Sequence, residues 1–208
     1  MNRRRVERLV KRHIAPSFPE LTLVRDLLVR WDGDPIVRGF VFRRSRAHSS
    51  PVRMEVFAQP LLVPADVIGL SVAQELGQFL FDDVASEIEL LEGMRALAEH
   101  EGRTFLGRVS DCGALAQTVP AMPPDRMDGR LGDESRAYCM VWLGRTAEAR
   151  DVLDVLIHEL RAFEVEYEFE LLSRVRHVKQ TLERSEHEAR DLLSAWADGT
   201  SRALGLPR

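Results

Sequence analysis

Apolar residues recur at helical spacing in residues 2–15. Val6, Leu9, Val10 and Ile14 share one face, while Arg3, Arg4, Arg5, Arg8, Lys11 and Arg12 fill the remaining positions up to Pro16. The pattern predicts a short, basic, amphipathic helix. After a break at residues 16–20 the pattern changes to that of strands. Residues 23–31 are apolar with interspersed charge, Asp32-Gly33-Asp34-Pro35 reads as a turn, residues 36–43 are a β-rich run, and residues 45–51 form a polar loop. Val52, Met54, Val56 and Ala58 alternate with Arg53, Glu55, Phe57 and Gln59, which gives a strand one buried and one wetter face. A last strand is expected over residues 67–74, with Ile68, Leu70 and Val72 on one face. The expectation is three or four antiparallel strands joined in sequence order.

From Asp82 onward the period is helical. Asp82 or Asp83 is placed to cap a helix carrying Val84, Ile88, Leu91 and Met94, and Gly102 to end it in the left-handed C′ position. A shorter helix is expected over residues 104–117. Residues 120–132, polar and rich in Pro and Gly, read either as a linker to a separate helical lobe or as a surface loop within one domain. Asp133 then caps a helix through Leu143, Gly144 breaks it, and Thr146 caps the next, giving an αα-hairpin. The pair looks like one helix pair of a tetratricopeptide-type array, but no second copy follows at the period such arrays need, so ordinary helix packing is preferred.

No Gly or Pro occurs in residues 145–198, and Leu153, Leu156, Leu160, Phe163, Tyr167, Leu171, Val175, Val178 and Leu182 form a seam of three- and four-residue steps. One reading is a long helix that pairs with a second copy. The preferred reading is several shorter helices around their own core. Ser185 with Glu188 forms a capping box that marks a fresh start, and residues 163–170 alternate with period two, which places a bend there. The fold expected is α+β: an N-terminal helix, a small antiparallel sheet from about Leu23 to Gln74, and a helical C-terminal half covering one sheet face. Residues 1–118 make the α+β region and residues 133–208 the helical region.

Composition supports a packed core. The chain has 208 residues, 45% of them hydrophobic, and too little Gly and Pro for a collagen-like or low-complexity chain. Charge is unevenly placed: residues 1–56 hold 13 Lys+Arg against 6 Asp+Glu, whereas the rest of the chain is strongly acidic, for a total of −4. Only Lys11 and Lys179 are lysine. The two cysteines, Cys112 and Cys139, are far apart and make no disulfide framework, which favours a reducing, cytoplasmic setting. No apolar run approaches the ~18 residues of a membrane span, and no continuous apolar segment follows the basic start. The cations of the first helix have three readings: phosphate contacts by Arg3, Arg4, Arg5 and Arg8, an anionic membrane surface, or a face that pairs with the acidic helices of the same chain. The third is preferred, because the remainder of the chain needs cationic partners.

Motifs for chemistry are sparse. His158-Glu159 begins as a zinc-protease helix would, but Ala162 stands where the second histidine is required. His13, His48, His100, His158, His177 and His187 include no tight pair at ligand spacing, which leaves only a metal site assembled from distant segments. Ser110-Asp111-Cys112-Gly113 lacks the flanking glycines of a nucleophile elbow, and neither a phosphate-binding Gly-rich loop nor a dinucleotide turn is present. No catalytic residue, metal ligand or cofactor is assigned.

Val37-Arg38-Gly39-Phe40, together with Val56-Phe57-Ala58-Gln59-Pro60-Leu61-Leu62-Val63-Pro64, resembles a bacterial protein family with an Arg-Gly-Phe strand, a Phe-x-Gln-Pro-Leu-x-x-Pro strand exit and a helical tail. The similarity covers about the first 80 residues and, more loosely, residues 192–206. It carries over no activity. By analogy of style, it suggests an accessory or immunity-type component of a bacterial system. The expected function is therefore a non-catalytic protein that binds another protein or self-associates through its C-terminal helices, with Arg38, Phe57 and Gln59 as an interaction surface. Two alternatives stand: a hydrolase-like enzyme with a dispersed site around Arg38, Gln59 and His100, and nucleic-acid binding through the first helix.

Overall fold

The structure is a computed structural model that describes residues 3–24, 27–31, 34–44, 51–70, 72–81, 87–119, 129–161 and 166–206. The expected caps Asp82 and Asp83, residues 45–50 of the polar loop, residues 120–128 of the linker and residues 163–165 of the alternating segment lie outside the described residues. The chain divides into two compact units. The first comprises residues 1–32, 37–58 and 73–109, and the second residues 33–36, 59–72 and 110–208.

The class is α+β, as expected, with five antiparallel strands in sequence order: β1 (Thr22–Val24), β2 (Leu27–Arg30), β3 (Ile36–Arg44), β4 (Val52–Pro60) and β5 (Ala73–Phe79). The count exceeds three or four because the apolar run at residues 23–31 doubles back on itself, pairing Thr22 with Val29 and Val24 with Leu27. The last strand also lies further along the chain than residues 67–74. Along β4 and β5, Met54 pairs with Gly77 but Glu55 with Glu75, so Leu76 is an extra residue. That bulge gives β5 an inward period of three, at Ala73, Leu76 and Phe79, and hides the strand from a period-two reading.

Gly39 shows why the Arg-Gly-Phe strand needs its glycine. It sits opposite Val29 with φ +156°, and a Cβ there would lie 2.0 Å from the Leu28 carbonyl oxygen. Only a residue without a side chain lets β2 and β3 approach this closely. Next to it, Phe40 is fully buried and meets Phe18 edge-on at 4.9 Å between ring centroids. On the wetter side of the sheet, Arg43 lies 3.6 Å from Glu55 and Arg53 lies 3.2 Å from Glu75. These cations sit beside two carboxylates that face each other across the strands. Burial is the main cause that pushes Glu55 above the usual carboxylate range; Arg43 and Arg53 oppose the rise and Glu75 adds to it.

The N-terminal helix α1 (Arg3–Leu9) continues through a wide π-type turn, Val10–Ile14, and a tight turn, Ala15–Ser17, with Val6, Val10 and Ile14 buried. Its inner face packs toward α2 (Glu87–Leu97), which lies against β5. Contrary to expectation, Gly102 does not end this helix. The chain passes through a π-type turn (Ala98–Gly102) straight into α3 (Arg103–Arg108), and Gly102 keeps a right-handed φ of −62°. Its role is one of space, since a Cβ would lie 2.4 Å from the Phe40 ring. The helix expected over residues 104–117 is likewise two helices. Asp111 is extended and accepts the Ala114 N–H at 2.9 Å, starting α4 (Cys112–Thr118) afresh.

The second unit is a bundle of α5 (Gly129–Trp142), α6 (Thr146–Leu160), α7 (Glu166–Arg184) and α8 (Glu186–Leu204), with α4 packed on α5. Consecutive helices pack together and α8 returns to α5, closing the ring. Cross-helix pairs fix the directions: Arg150 reaches Leu182, Tyr138 lies against Trp196, and His177 meets the same indole. Neighbours therefore run antiparallel, as short connections require. Asp133 falls inside α5 rather than at its start, and Arg145, not Thr146, precedes α6. Thr146 is the first helical residue and donates its hydroxyl to Glu186 Oε1 at 2.9 Å. Gly144 does break the chain between α5 and α6, at φ +76°.

Ser185 opens α8 as its pattern implied, extended and accepting the Glu188 N–H. The seam residues Leu153, Leu156, Leu160, Leu171, Val175, Val178 and Leu182 are all buried within the single chain. Since α6 stops at Leu160 and α8 starts after Ser185, the long unbroken helix is not formed.

Candidate functional site

Three of the four N-terminal arginines considered for a polyanion have described side chains. Arg4 and Arg8 are exposed, and Arg8 Nε donates to the Arg4 carbonyl at 3.4 Å. Arg5 is committed to Glu87 at the start of α2. Ser17 donates to Glu99, and Arg103 lies 3.4 Å from Glu20 and stacks 4.6 Å over the buried Phe18 ring. One cation of the basic helix, Arg5, is thus paired with the acidic helix beside it, while Ser17, Phe18 and Glu20 tie the following segment to Glu99 and Arg103.

Phe57 is fully buried and Gln59 is only 5% exposed, so these two do not form an open patch with the half-buried Arg38. Arg38 Nη1 reaches the Val109 carbonyl at 3.5 Å. Gln59 Oε1 accepts the Gly69 N–H at 2.8 Å, which holds the strand-exit loop. The same loop is pinned where Leu61 N–H meets the Pro35 carbonyl at 2.7 Å and where the Thr200 hydroxyl reaches the Val63 carbonyl at 3.2 Å. His100 is exposed and belongs, with Arg38, to the first unit, whereas Gln59 belongs to the second. The residues of the Phe-x-Gln-Pro-Leu stretch are therefore accounted for by folding.

Inside the bundle, Glu134 is fully buried and takes two hydrogen bonds from Arg174, at 3.0 Å from Nε and 3.2 Å from Nη2. This fork joins α5 to α7 across the bundle. Burial pushes the Glu134 carboxyl up and the two guanidinium hydrogen bonds pull it back; Tyr138, buried next to that carboxylate, is pushed well above its usual value by burial first. The Tyr138 hydroxyl makes no hydrogen bond of acceptable geometry to any described group. The cluster ties α5 to α7 at one point along their length.

The opposite situation holds on the surface between α6 and α7, where a half-open groove of about 410 Å³ runs along the hairpin. Helix α6 supplies Asp154, Ile157, His158 and Arg161, and α7 supplies Arg176, Lys179, Gln180 and Glu183. Lys179 bridges the two walls, pairing with Asp154 and lying 3.4 Å from Glu183; the Asp154 hydrogen bond is the main cause that raises its pKa. Both groove carboxylates are thus engaged by one ammonium. Among the described residues, the guanidiniums of Arg161 and Arg176 have no carboxylate partner. Arg161 sits at the carboxyl end of α6, where the helix dipole favours a cation. Two helical turns before Arg176, on the same stripe of α7, Phe169 is 58% exposed.

No group of His, Cys, Asp and Glu with metal-binding geometry occurs among the described residues, and none of their helices is long and apolar enough to cross a membrane. The groove residues escaped the sequence reading because attention to the apolar seam of residues 153–182 passes over the polar stripe beside it. The legible signal was Phe169, an aromatic out of phase with that seam. No family model, curated protein or solved structure matches the chain.

Proposed function

We propose that this protein is a non-catalytic accessory protein that binds an acidic segment of a partner protein along the α6–α7 hairpin. The observation that carries this reading is the groove in which Arg161 and Arg176 stand without carboxylate partners among the described residues, in line with the exposed Phe169. A planar guanidinium forks onto carboxylates, and an exposed aromatic ring supplies apolar contact at small entropic cost. Arginine and aromatic residues together are the composition of binding hot spots. The occupant that fits is an extended or helical segment carrying Asp or Glu beside an apolar residue.

The test is fluorescence anisotropy of a labelled Asp/Glu-rich peptide with one Leu or Trp, titrated with the full chain at low and high salt. Saturable, salt-sensitive binding is expected, lost in Arg161→Glu/Arg176→Glu and weakened several-fold in Phe169→Ala. Binding that survives the charge reversal overturns the proposal. So does binding of inorganic pyrophosphate at these arginines with no binding of the peptide, which would assign the groove to a small anion instead.

A further inference from the structure

The only two cysteines of the chain, distant in sequence, are brought together in the fold. Cys112 opens α4, Cys139 lies on α5 and the two helices pack directly; at Gly113, next to Cys112, a Cβ would lie 3.8 Å from Leu143, one turn beyond Cys139, and the Cys139 thiol raises the Cys112 pKa. Both are free, with exposures of 1% and 0%. Cys112 is also fixed at its backbone, where its N–H donates to Asp34 Oδ2 at 3.0 Å. The position of the first thiol is therefore set by a helix start and by a hydrogen bond, and that of the second by the bundle core. We propose that Cys112 and Cys139 are a built-in dithiol–disulfide pair, which a low-molecular-weight disulfide oxidises to a covalent clamp between α4 and α5.

The chemistry balances as two exchanges. One protein thiol loses its proton and attacks a sulfur of the small disulfide, so that a mixed disulfide forms and one small thiolate leaves and takes up the proton. The second protein thiol, losing its own proton, then attacks the protein sulfur of that mixed disulfide. The Sγ–Sγ bond forms and the second small thiol departs. The protein loses two hydrogens and two electrons, and the small disulfide gains both.

The surroundings shape the rate of closure. The contact with Cys139, burial and the nearby Asp34 carboxylate all hold the Cys112 thiol in its protonated form. A thiol so held attacks slowly, because the thiolate is the nucleophile. The equilibrium is set by the small disulfide supplied and by how well a closed Sγ–Sγ bond fits between the two helices. The pair stays reduced through brief exposure and closes under sustained oxidation, when local opening admits the oxidant.

The experiment uses the full, folded chain, incubated without denaturant with oxidised glutathione. Remaining thiols are then alkylated in denaturant, and intact mass is read alongside a non-reducing gel. The expected product is a monomer lighter by two hydrogens, with no alkyl or glutathione adduct. Its thermal transition is raised by roughly 5 °C and returns to the original value on reduction. Two alkylated thiols after prolonged oxidation, stable glutathione adducts, or dimers linked between chains would each overturn the proposal. Cys139→Ala provides the control: it should lose the thermal shift, and a shift that persists shows that the crosslink is not its cause. If that variant fails to fold, the mass of the oxidised wild-type chain still decides.

Discussion

The two units of this chain treat charge in opposite ways. In the sheet unit the residues at zero exposure, such as Ile14, Phe18, Leu28, Phe40 and Met54, are apolar, and the ion pairs Arg43–Glu55 and Arg53–Glu75 stay on the wetter side. Glycine provides the fit there, letting β2 approach β3 at Gly39 and the Phe40 ring approach the chain at Gly102. In the helical unit the fully buried Glu134 is paired with the partly exposed Arg174, and further charge is collected in a surface groove. A sheet has its register fixed by which face is buried and by its turns, whereas packed helices can slide. The fork from Arg174 to Glu134 is a directional tie between two such helices.

The strongest way to break this contrast is Arg174→Ala, which leaves the Glu134 carboxylate buried without its partner. A loss of about 3–5 kcal/mol in chemical denaturation is expected, whereas Glu134→Leu with Arg174→Leu should recover most of it. If the single variant proves as stable as the wild type, the Glu134 carboxylate does not depend on Arg174 for its burial. Next comes Gly39→Ala in the sheet unit, where a Cβ would meet backbone that has no side chain to move. The cost should be about 3 kcal/mol, read by the same unfolding curves, and a neutral result would deny the close approach of β2 and β3.

A smaller effect is expected at the start of α8. Ser185→Ala removes the acceptor for the Glu188 N–H and should cost about 1 kcal/mol, with Ser185→Asp retaining the cap; equal loss in both variants would point away from capping. The smallest effect is one of pH. Glu55 has its folded pKa raised above the ordinary value of 4.5. The folded chain therefore holds this proton at pH values where the unfolded chain has released it. Stability from this group grows as pH falls through that window and is lost as pH rises through the folded pKa. Glu55→Gln should flatten the stability profile just above pH 4.5, and a profile parallel to that of the wild type would show that its proton is not coupled to folding.

Much of the fold was legible where one residue type has one dominant use. Ser185 with Glu188 marked a helix start, Gly144 a break, and the spacing of Val6, Val10 and Ile14 an amphipathic helix. The failures have a common cause: the local pattern was overridden by a contact from elsewhere in the chain. Gly102 looks like a helix end by type, yet it is small because Phe40 lies against it. Leu76 breaks the alternation of β5 because β4 pairs around it. Phe57 and Gln59 look available in the sequence and are interior in the fold. The groove was the least legible, since residues 154–161 and 176–183 acquire their meaning only when α6 and α7 are laid antiparallel.

The ends of the sheet carry a further consequence. A five-stranded meander leaves two open edges, each a template on which another molecule's strand can grow. Here β1 has only three residues, too few to guide a productive pairing, while β5 carries a bulge at Leu76 and exposes Glu75 and Gln78. Neither edge invites extension. At high concentration the sheet should therefore resist edge-to-edge aggregation.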